Sequence, residues 1–230
     1  MKALNFCLSA LLGIALFFFI LTASISLPIY FRSFYYMQID DLNLEEESGY
    51  TEAQIIEAYD EVLDYLVLGK EFGTGDMPYS ESGKSHFADC KVLFDLNLGV
   101  LIASTAIIVI LFALEKFKVI NILSGSHKPW FYTGIISVIA LTSIALLASA
   151  DFEKAFEVFH YIFFLGKDNW AFNPFTDEII YVLPQEFFMN CAILIGSAMV
   201  FGFAACITAD VLENKLTKKA TCNENENQIG

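Results

Sequence analysis

The sequence predicts an all-α membrane protein: four transmembrane helices with a small helical extracellular cap. Three observations carry that prediction. Of the 230 residues, 56% are apolar and 17% charged, whereas soluble domains carry about 45–50% and about 25%. Mean hydropathy is +0.56, and the apolar residues gather in four long runs. Acidic stretches separate those runs, and the formal net charge is −14, from 13 Lys+Arg and 27 Asp+Glu. The pattern excludes a disordered chain, a coiled coil and a disulfide-rich secreted module. It also argues against nucleic acid as a partner, because phosphate binding needs a basic footprint.

A bilayer core about 30 Å thick takes roughly 20 apolar residues in a helix, since unpaired backbone groups are costly in hydrocarbon. Leu4–Ile29, Leu96–Leu114, Trp130–Ala150 and Phe187–Ala209 meet that length, and none contains Lys, Arg, Asp or Glu. Lys2 before the first run resembles the start of a signal peptide. The run exceeds the usual h-region of about 7–15 residues and lacks a small-x-small cleavage site, so a retained span is expected.

Lys and Arg near span ends set orientation. Lys2, the loop with Lys116, Lys118 and Lys128, and the tail with Lys215, Lys218 and Lys219 are placed in the cytoplasm. Residues 30–95, with four basic against fifteen acidic residues, and 151–186, with two against seven, then lie outside. The expected organisation is a first transmembrane helix over 1–30, an extracellular cap over 31–95 and a second helix over 96–114. A cytoplasmic loop over 115–129, a third helix over 130–150 and an extracellular interfacial segment over 151–186 follow. The fourth helix covers 187–209 and the cytoplasmic tail 210–230. Both termini are cytoplasmic in this topology. Of five cysteines only Cys90 falls outside, so no disulfide is expected there.

Within the cap, Thr51–Gly69 carries a helix signature. Thr51 and Gln54 suit a capping box and Gly69 a stop. Ile55, Ile56, Tyr59, Val62, Leu63, Leu66 and Val67 recur at helical spacing, leaving Glu52, Glu57, Asp60, Glu61 and Asp64 for a solvated face. After a turn at Tyr79–Gly83 the chain is expected to become helical and to run into the second span, with His86, Asp89, Cys90 and Lys91 on its entry. In the second outer segment Phe152, Phe156, Phe159 and Phe163 form a stripe suited to the membrane surface. Trp170, Phe172, Phe175 and Tyr181 continue an aromatic belt, and Pro174 and Pro184 break the helix.

Three histidines are candidates for chemistry. His127 falls on the opposite side from the other two and reads as an ordinary loop residue. His86 and His160 lie on one side, near the ends of spans. Two groups that titrate near neutrality at similar depth suit acyl transfer on a lipid ester. Each also has a plain reading, His86 bonded to Asp89 and His160 as an amphipathic surface side chain. A Cys90 thiol nucleophile and a metal held by His86, Asp89 and His160 are alternatives. No HExxH or CxxC spacing supports a metal, and no metal or other cofactor is expected.

The string Tyr79-Ser80-Glu81-Ser82-Gly83-Lys84-Ser85-His86-Phe87-Ala88-Asp89-Cys90-Lys91 carries a His-x-x-Asp-x-Lys pattern. A second block holds Phe159-His160-Tyr161-Ile162-Phe163-Phe164, then Trp170, Pro174, Asp177 and Pro184-Gln185-Glu186-Phe187-Phe188. In this order and at span boundaries, the two blocks resemble the bacterial four-span membrane family of lipoprotein intramolecular transacylases. Many relatives have a charged pair where Ser82-Gly83 stands and an aliphatic residue where Cys90 stands, which argues against a Cys90 nucleophile.

The resemblance implies an acyltransferase of the bacterial cell membrane with its active site on the extracellular side. Its partners would be membrane lipid and a diacylglyceryl lipoprotein with a free N-terminal cysteine. The sn-2 acyl chain would move to the α-amine of that cysteine, giving a lyso-form lipoprotein through an eight-membered ring with no acyl-enzyme. It implies that one histidine takes the amine proton and the other, or the same one, protonates the leaving oxygen. His86 as base oriented by Asp89, with His160 as acid or oxyanion donor, is the favoured allocation, the reverse stays open, and Lys91 would counter developing charge. Trp170, Asp177 and Glu186 would position lipid or support the histidines. The competing readings are another membrane-interface lipid hydrolase or acyltransferase, and a non-catalytic membrane adaptor.

Overall fold

The computed structural model describes residues 2–123 and 127–229, with the side chains of 2 and 219–229 excepted. In chain order the helices are α1 (Lys2–Tyr30), α2 (Ser33–Tyr36), α3 (Gln38–Asp41), α4 (Leu44–Ser48), α5 (Glu52–Leu68), α6 (Glu81–Lys116), α7 (Pro129–Ala150), α8 (Phe152–Phe163), α9 (Ile179–Val182) and α10 (Gln185–Ile229). Among the described residues there is no strand, only an isolated bridge between Thr74 and Asp76. α1, α6, α7 and α10 are long and apolar enough to cross a membrane, and each contains one of the four apolar runs. The protein is therefore an all-α, multi-pass membrane protein.

The 36 residues of α6 extend about 54 Å at 1.5 Å per residue, well beyond the roughly 30 Å of hydrocarbon. Its first turns, Glu81–Asp95, hold the polar residues, and Leu96–Leu114 the uninterrupted apolar ones. One continuous helix thus joins a chemically equipped end to a lipid-compatible one. It begins at Glu81, inside the expected turn, because the Ser80 hydroxyl accepts the Gly83 N–H at 3.0 Å and caps the first turn.

The chain forms two compact units. One comprises Met1–Ser24, Val100–Ile144 and Gly196–Gly230. Leu12, Leu111 and Ile122 form its buried cluster. A Cβ at Gly134 would meet Ile207 at 2.7 Å and the Phe203 carbonyl at 3.0 Å, so only glycine permits this backbone approach. Here too Asp210, wholly buried, accepts from the Lys128 amide at 2.7 Å and lies 2.6 Å from His127 Nδ1. The His127 ring stacks on Phe131 at 4.1 Å. Sequence reasoning treated His127 as an ordinary loop residue; it is a clip to α10, because a buried carboxylate must be hydrogen-bonded.

The second unit comprises Ile25–Gly99 and Ala145–Ile195. In α5 the capping box of Thr51 and Gln54 forms and Gly69 ends the helix at φ 68°. Ile55, Ala58, Tyr59, Val62, Leu63 and Leu66 are buried. Tyr35 stacks on Tyr59 with ring centroids 3.8 Å apart, and Phe187 meets Tyr35 edge-on at 5.1 Å. The buried Tyr35 hydroxyl donates to the Val182 carbonyl at 2.6 Å, satisfying a polar group within an apolar core.

Two features of this unit depart from the sequence reading. Helices α2, α3 and α4 occupy 33–48, where no periodicity was legible. Such short helices cannot stand alone; buried Tyr35, Ile39 and Leu44 hold them on the core. The acidic face of α5 is also not wholly solvated. Asp60 and Asp64 pair with Arg32, and Lys70 Nζ meets Asp64 at 2.7 Å.

Candidate active site

His86 and His160 come together. Their ring centroids are 5.8 Å apart, and each residue is 7% exposed. His86 projects from α6 and His160 from α8. The α8 helix starts because the Asp151 carboxylate accepts the Lys154 N–H at 3.0 Å. His160 is the buried residue of this helix, while Phe159 and Phe163 are exposed.

Aromatic rings wall the pair. Phe164 lies 4.8 Å and Phe172 5.5 Å from the His86 ring. Phe156 lies 4.3 Å from the His160 ring, and Trp170 stacks on it at 4.8 Å with an interplanar angle of 28°. His160 Nδ1 is 2.8 Å from the Phe156 carbonyl. A carbonyl only accepts, so Nδ1 carries the proton and Nε2 holds the lone pair. Burial lowers the His160 pKa below the ordinary histidine value, and the Phe156 carbonyl opposes that in part. His86 Nδ1 is buried without a partner, and His86 Nε2 lies 3.4 Å from Cys90 Sγ.

The expected supporting residues divide. Asp89 does not hydrogen-bond His86, contrary to the sequence reading. Its carboxylate is taken by Lys167 and by Asn169 Nδ2 at 3.0 Å, because an ammonium and an amide N–H are better donors than a neutral imidazole. Asp89 therefore ties the loop after α8 to α6. Trp170 belongs to that loop, and its Nε1 donates to the Lys167 carbonyl at 3.2 Å.

Asp177, 3% exposed, accepts from the Ser80 N–H and hydroxyl at 2.8 Å each and from the Thr176 hydroxyl at 2.7 Å. It fixes the start of α6. A Cβ at Gly83 would collide with its carboxylate.

Lys91 and Glu186 lie elsewhere. Lys91 Nζ donates to the Leu66 carbonyl at 3.2 Å and stands 3.7 Å from Asp95 and 6.0 Å from the Tyr65 ring. It braces α5, because its position on α6 faces the cap rather than the histidines. Glu186, exposed in the first turn of α10, lines a groove of about 510 Å³ with Asp41 and Glu47. Sequence reasoning missed Lys167 and Asn169, whose only signal was a polar triplet, Lys167-Asp168-Asn169, following an amphipathic helix. Among the described residues no three His, Cys, Asp or Glu side chains are placed to hold a metal ion.

The arrangement offers a proton acceptor and a second titratable ring in an aromatic enclosure, which suits proton transfer during attack on an ester. Known proteins agree with that chemistry. The family model described as lipoprotein intramolecular transacylase Lit matches residues 10–188. The in meso structure of the membrane integral lipoprotein intramolecular transacylase Lit from Bacillus cereus is similar at 27% identity and a TM-score of 0.84, covering 96% of this chain and 100% of that one. Two structures of the same Bacillus cereus protein, one with a histidine changed to arginine and one with a histidine changed to alanine, give TM-scores of 0.78 and 0.77 at 26% and 27% identity. They cover 95% and 96% of this chain, and 96% and 97% of theirs. No match is found among curated proteins. With 179 of its residues spanned by one family model, the chain belongs to the lipoprotein intramolecular transacylase Lit family.

Proposed function

We propose that this membrane acyltransferase moves the sn-2 acyl chain of a diacylglyceryl lipoprotein onto the α-amine of its N-terminal cysteine, leaving a lyso-form lipoprotein. The observation that carries the reading is the pair of buried histidine rings 5.8 Å apart within an aromatic wall. The amine nitrogen attacks the ester carbonyl carbon, the bond to the glyceryl C2 oxygen breaks, and one proton travels from nitrogen to that oxygen. His160 Nε2 takes the amine proton. The proton passes to His86, and His86 delivers it to the C2 oxygen. The commitment of His160 Nδ1–H to the Phe156 carbonyl supports this order, one of the two allocations that the sequence leaves open. Amine and ester belong to one molecule, so folding the substrate into an eight-membered ring replaces a second binding event.

The wall of Phe156, Phe164, Phe172 and Trp170 excludes water, which favours transfer to nitrogen over hydrolysis. Lys2 and the lysine-bearing 115–129 loop and 210–230 tail face the cytoplasm in this reading, and the histidines face outward in the bacterial cell membrane. The acidic outer segments suit a substrate with a cationic amine. Detergent-purified protein given a synthetic diacylglyceryl lipopeptide tests the reading by mass spectrometry. Unchanged mass with the acyl group on nitrogen is expected. Addition of water would instead mean a hydrolase.

A further inference from the structure

We infer that Asn169 is a substrate-binding residue whose side-chain oxygen accepts an N–H of the attacking α-amine. Its amide is held in one orientation. Asn169 Nδ2 lies 3.0 Å from Asp89 Oδ2 and 3.4 Å from Ser85 Oγ. An ionised carboxylate only accepts, so Nδ2 must face Asp89 and Oδ1 must turn away from it. Oδ1 is buried and has no hydrogen-bond partner among the described residues. A buried acceptor without a donor is costly, and native structures leave few of them.

Asn169 adjoins both histidines through its neighbours. Ser85 and Asp89 occupy the flank of α6 next to His86, and Trp170, the following residue, stacks on His160. The inference rests on the acyl-transfer reading, which supplies the donor. A neutral primary amine aims its lone pair at the ester carbonyl carbon and has two N–H bonds left. His160 Nε2 takes the proton from one. The second needs an acceptor inside a wall of aromatic rings that offers it none, and Asn169 Oδ1 is that acceptor. As the bond to carbon forms, the nitrogen turns positive until His160 removes its proton. A carbonyl dipole on the second N–H therefore holds the transition state more tightly than the bound substrate. Asn169 itself neither gains nor loses a proton. An N-methylated amine has one N–H only and would leave Oδ1 unpaired, so the site selects a primary amine.

Two lipopeptides given to detergent-purified protein test this, one with a primary N-terminal amine and one with that amine N-methylated. The readout is the ratio of their kcat values for acyl transfer. Asn169→Leu keeps the shape of the side chain without its oxygen, and Asn169→Ala removes both. Each variant should lower the wild-type ratio about tenfold, the scale of one buried polar group left unpaired. The intrinsic reactivity of the two amines is common to all three proteins and cancels. Equal kcat values for both amines in the wild type, or an unchanged ratio in the two variants whatever their Tm, would overturn the inference and leave Asn169 a tie for its loop. A second arm needs no turnover, because the sn-2 chain of a diether lipopeptide cannot move. Here the wild type should bind the primary amine several-fold more tightly than the N-methylated one, and Asn169→Leu should erase that preference. A binding preference that depends on Asn169 in a protein that moves no acyl group would leave the contact standing and remove the transacylase reading. Acyl transfer with the same preference in wild type and Asn169→Leu would do the reverse.

Discussion

The Trp170 indole lies flat against the His160 imidazole, 4.8 Å between centroids, and its N–H is spent on the Lys167 carbonyl. The ring is therefore held from its polar edge while its face covers the histidine. Such pairs contribute about 0.5–1.5 kcal/mol beyond buried area. Trp170→Ala should lower kcat for acyl transfer about tenfold, mainly by freeing the His160 ring, and Trp170→Phe should restore most of it. Rates of N-acyl product formation, followed by mass spectrometry, decide the matter. Equal rates in Trp170→Ala and wild type would show that stacking does not position the His160 ring for acyl transfer.

The pH dependence follows from burial of His160. Its pKa in the folded protein is lowered, so the neutral, proton-accepting ring persists below the ordinary histidine value of about 6.5. The acid limb of kcat/KM should fall below that value, not at it. Stability has the same sign: the unfolded chain binds the proton more readily, so stability is lost as pH drops through 6.5 toward the folded pKa. His160→Asn, in a melting series from neutral to acidic pH, should flatten that dependence. An acid limb above 6.5 would contradict the neutral base.

Asp89 and Lys91, two positions apart on α6, separate the two roles that spacing alone had merged. Asp89→Ala releases Lys167 and Asn169 and loosens the loop carrying Trp170, so activity should drop with a small change in Tm. Lys91→Met removes a contact to the Leu66 carbonyl and should lower Tm slightly while acyl transfer stays near wild type. Parallel melting curves and turnover rates test this, and the reverse pattern would return Lys91 to the reaction.

Asp177 predicts a stability effect. Hydrogen bonds to a charged acceptor contribute about 1.5–3 kcal/mol, and Asp177 receives several at the start of α6. Asp177→Ala and Gly83→Ala should both lower Tm, the first by stripping the partner of Ser80 and the second by driving a Cβ into the carboxylate. Thermal unfolding in detergent checks both. An unchanged Tm in Gly83→Ala would mean that the turn yields without cost.

Much of the architecture was legible because its physics is local. A membrane span needs only length and apolarity, and both are properties of consecutive residues. The Thr51 and Gln54 cap, the Gly69 stop and the α5 core face follow from spacing within one helix. The two histidines were legible as candidates because both stand beside span ends on one side of the charge pattern. α2–α4 were not legible, because four- and five-residue helices exist only against buried partners distant in sequence.

The sequence by itself therefore determined the four apolar helices, the acidic segments between them and the identity of the two titratable rings. Tertiary structure decided what those rings touch. Asp89 turned from His86 to Lys167, Lys91 went to α5, and His160 committed one nitrogen to the Phe156 carbonyl. Each outcome is a competition among partners brought close by folding, and a donor's or acceptor's choice depends on burial and rival charges that spacing along one chain does not encode.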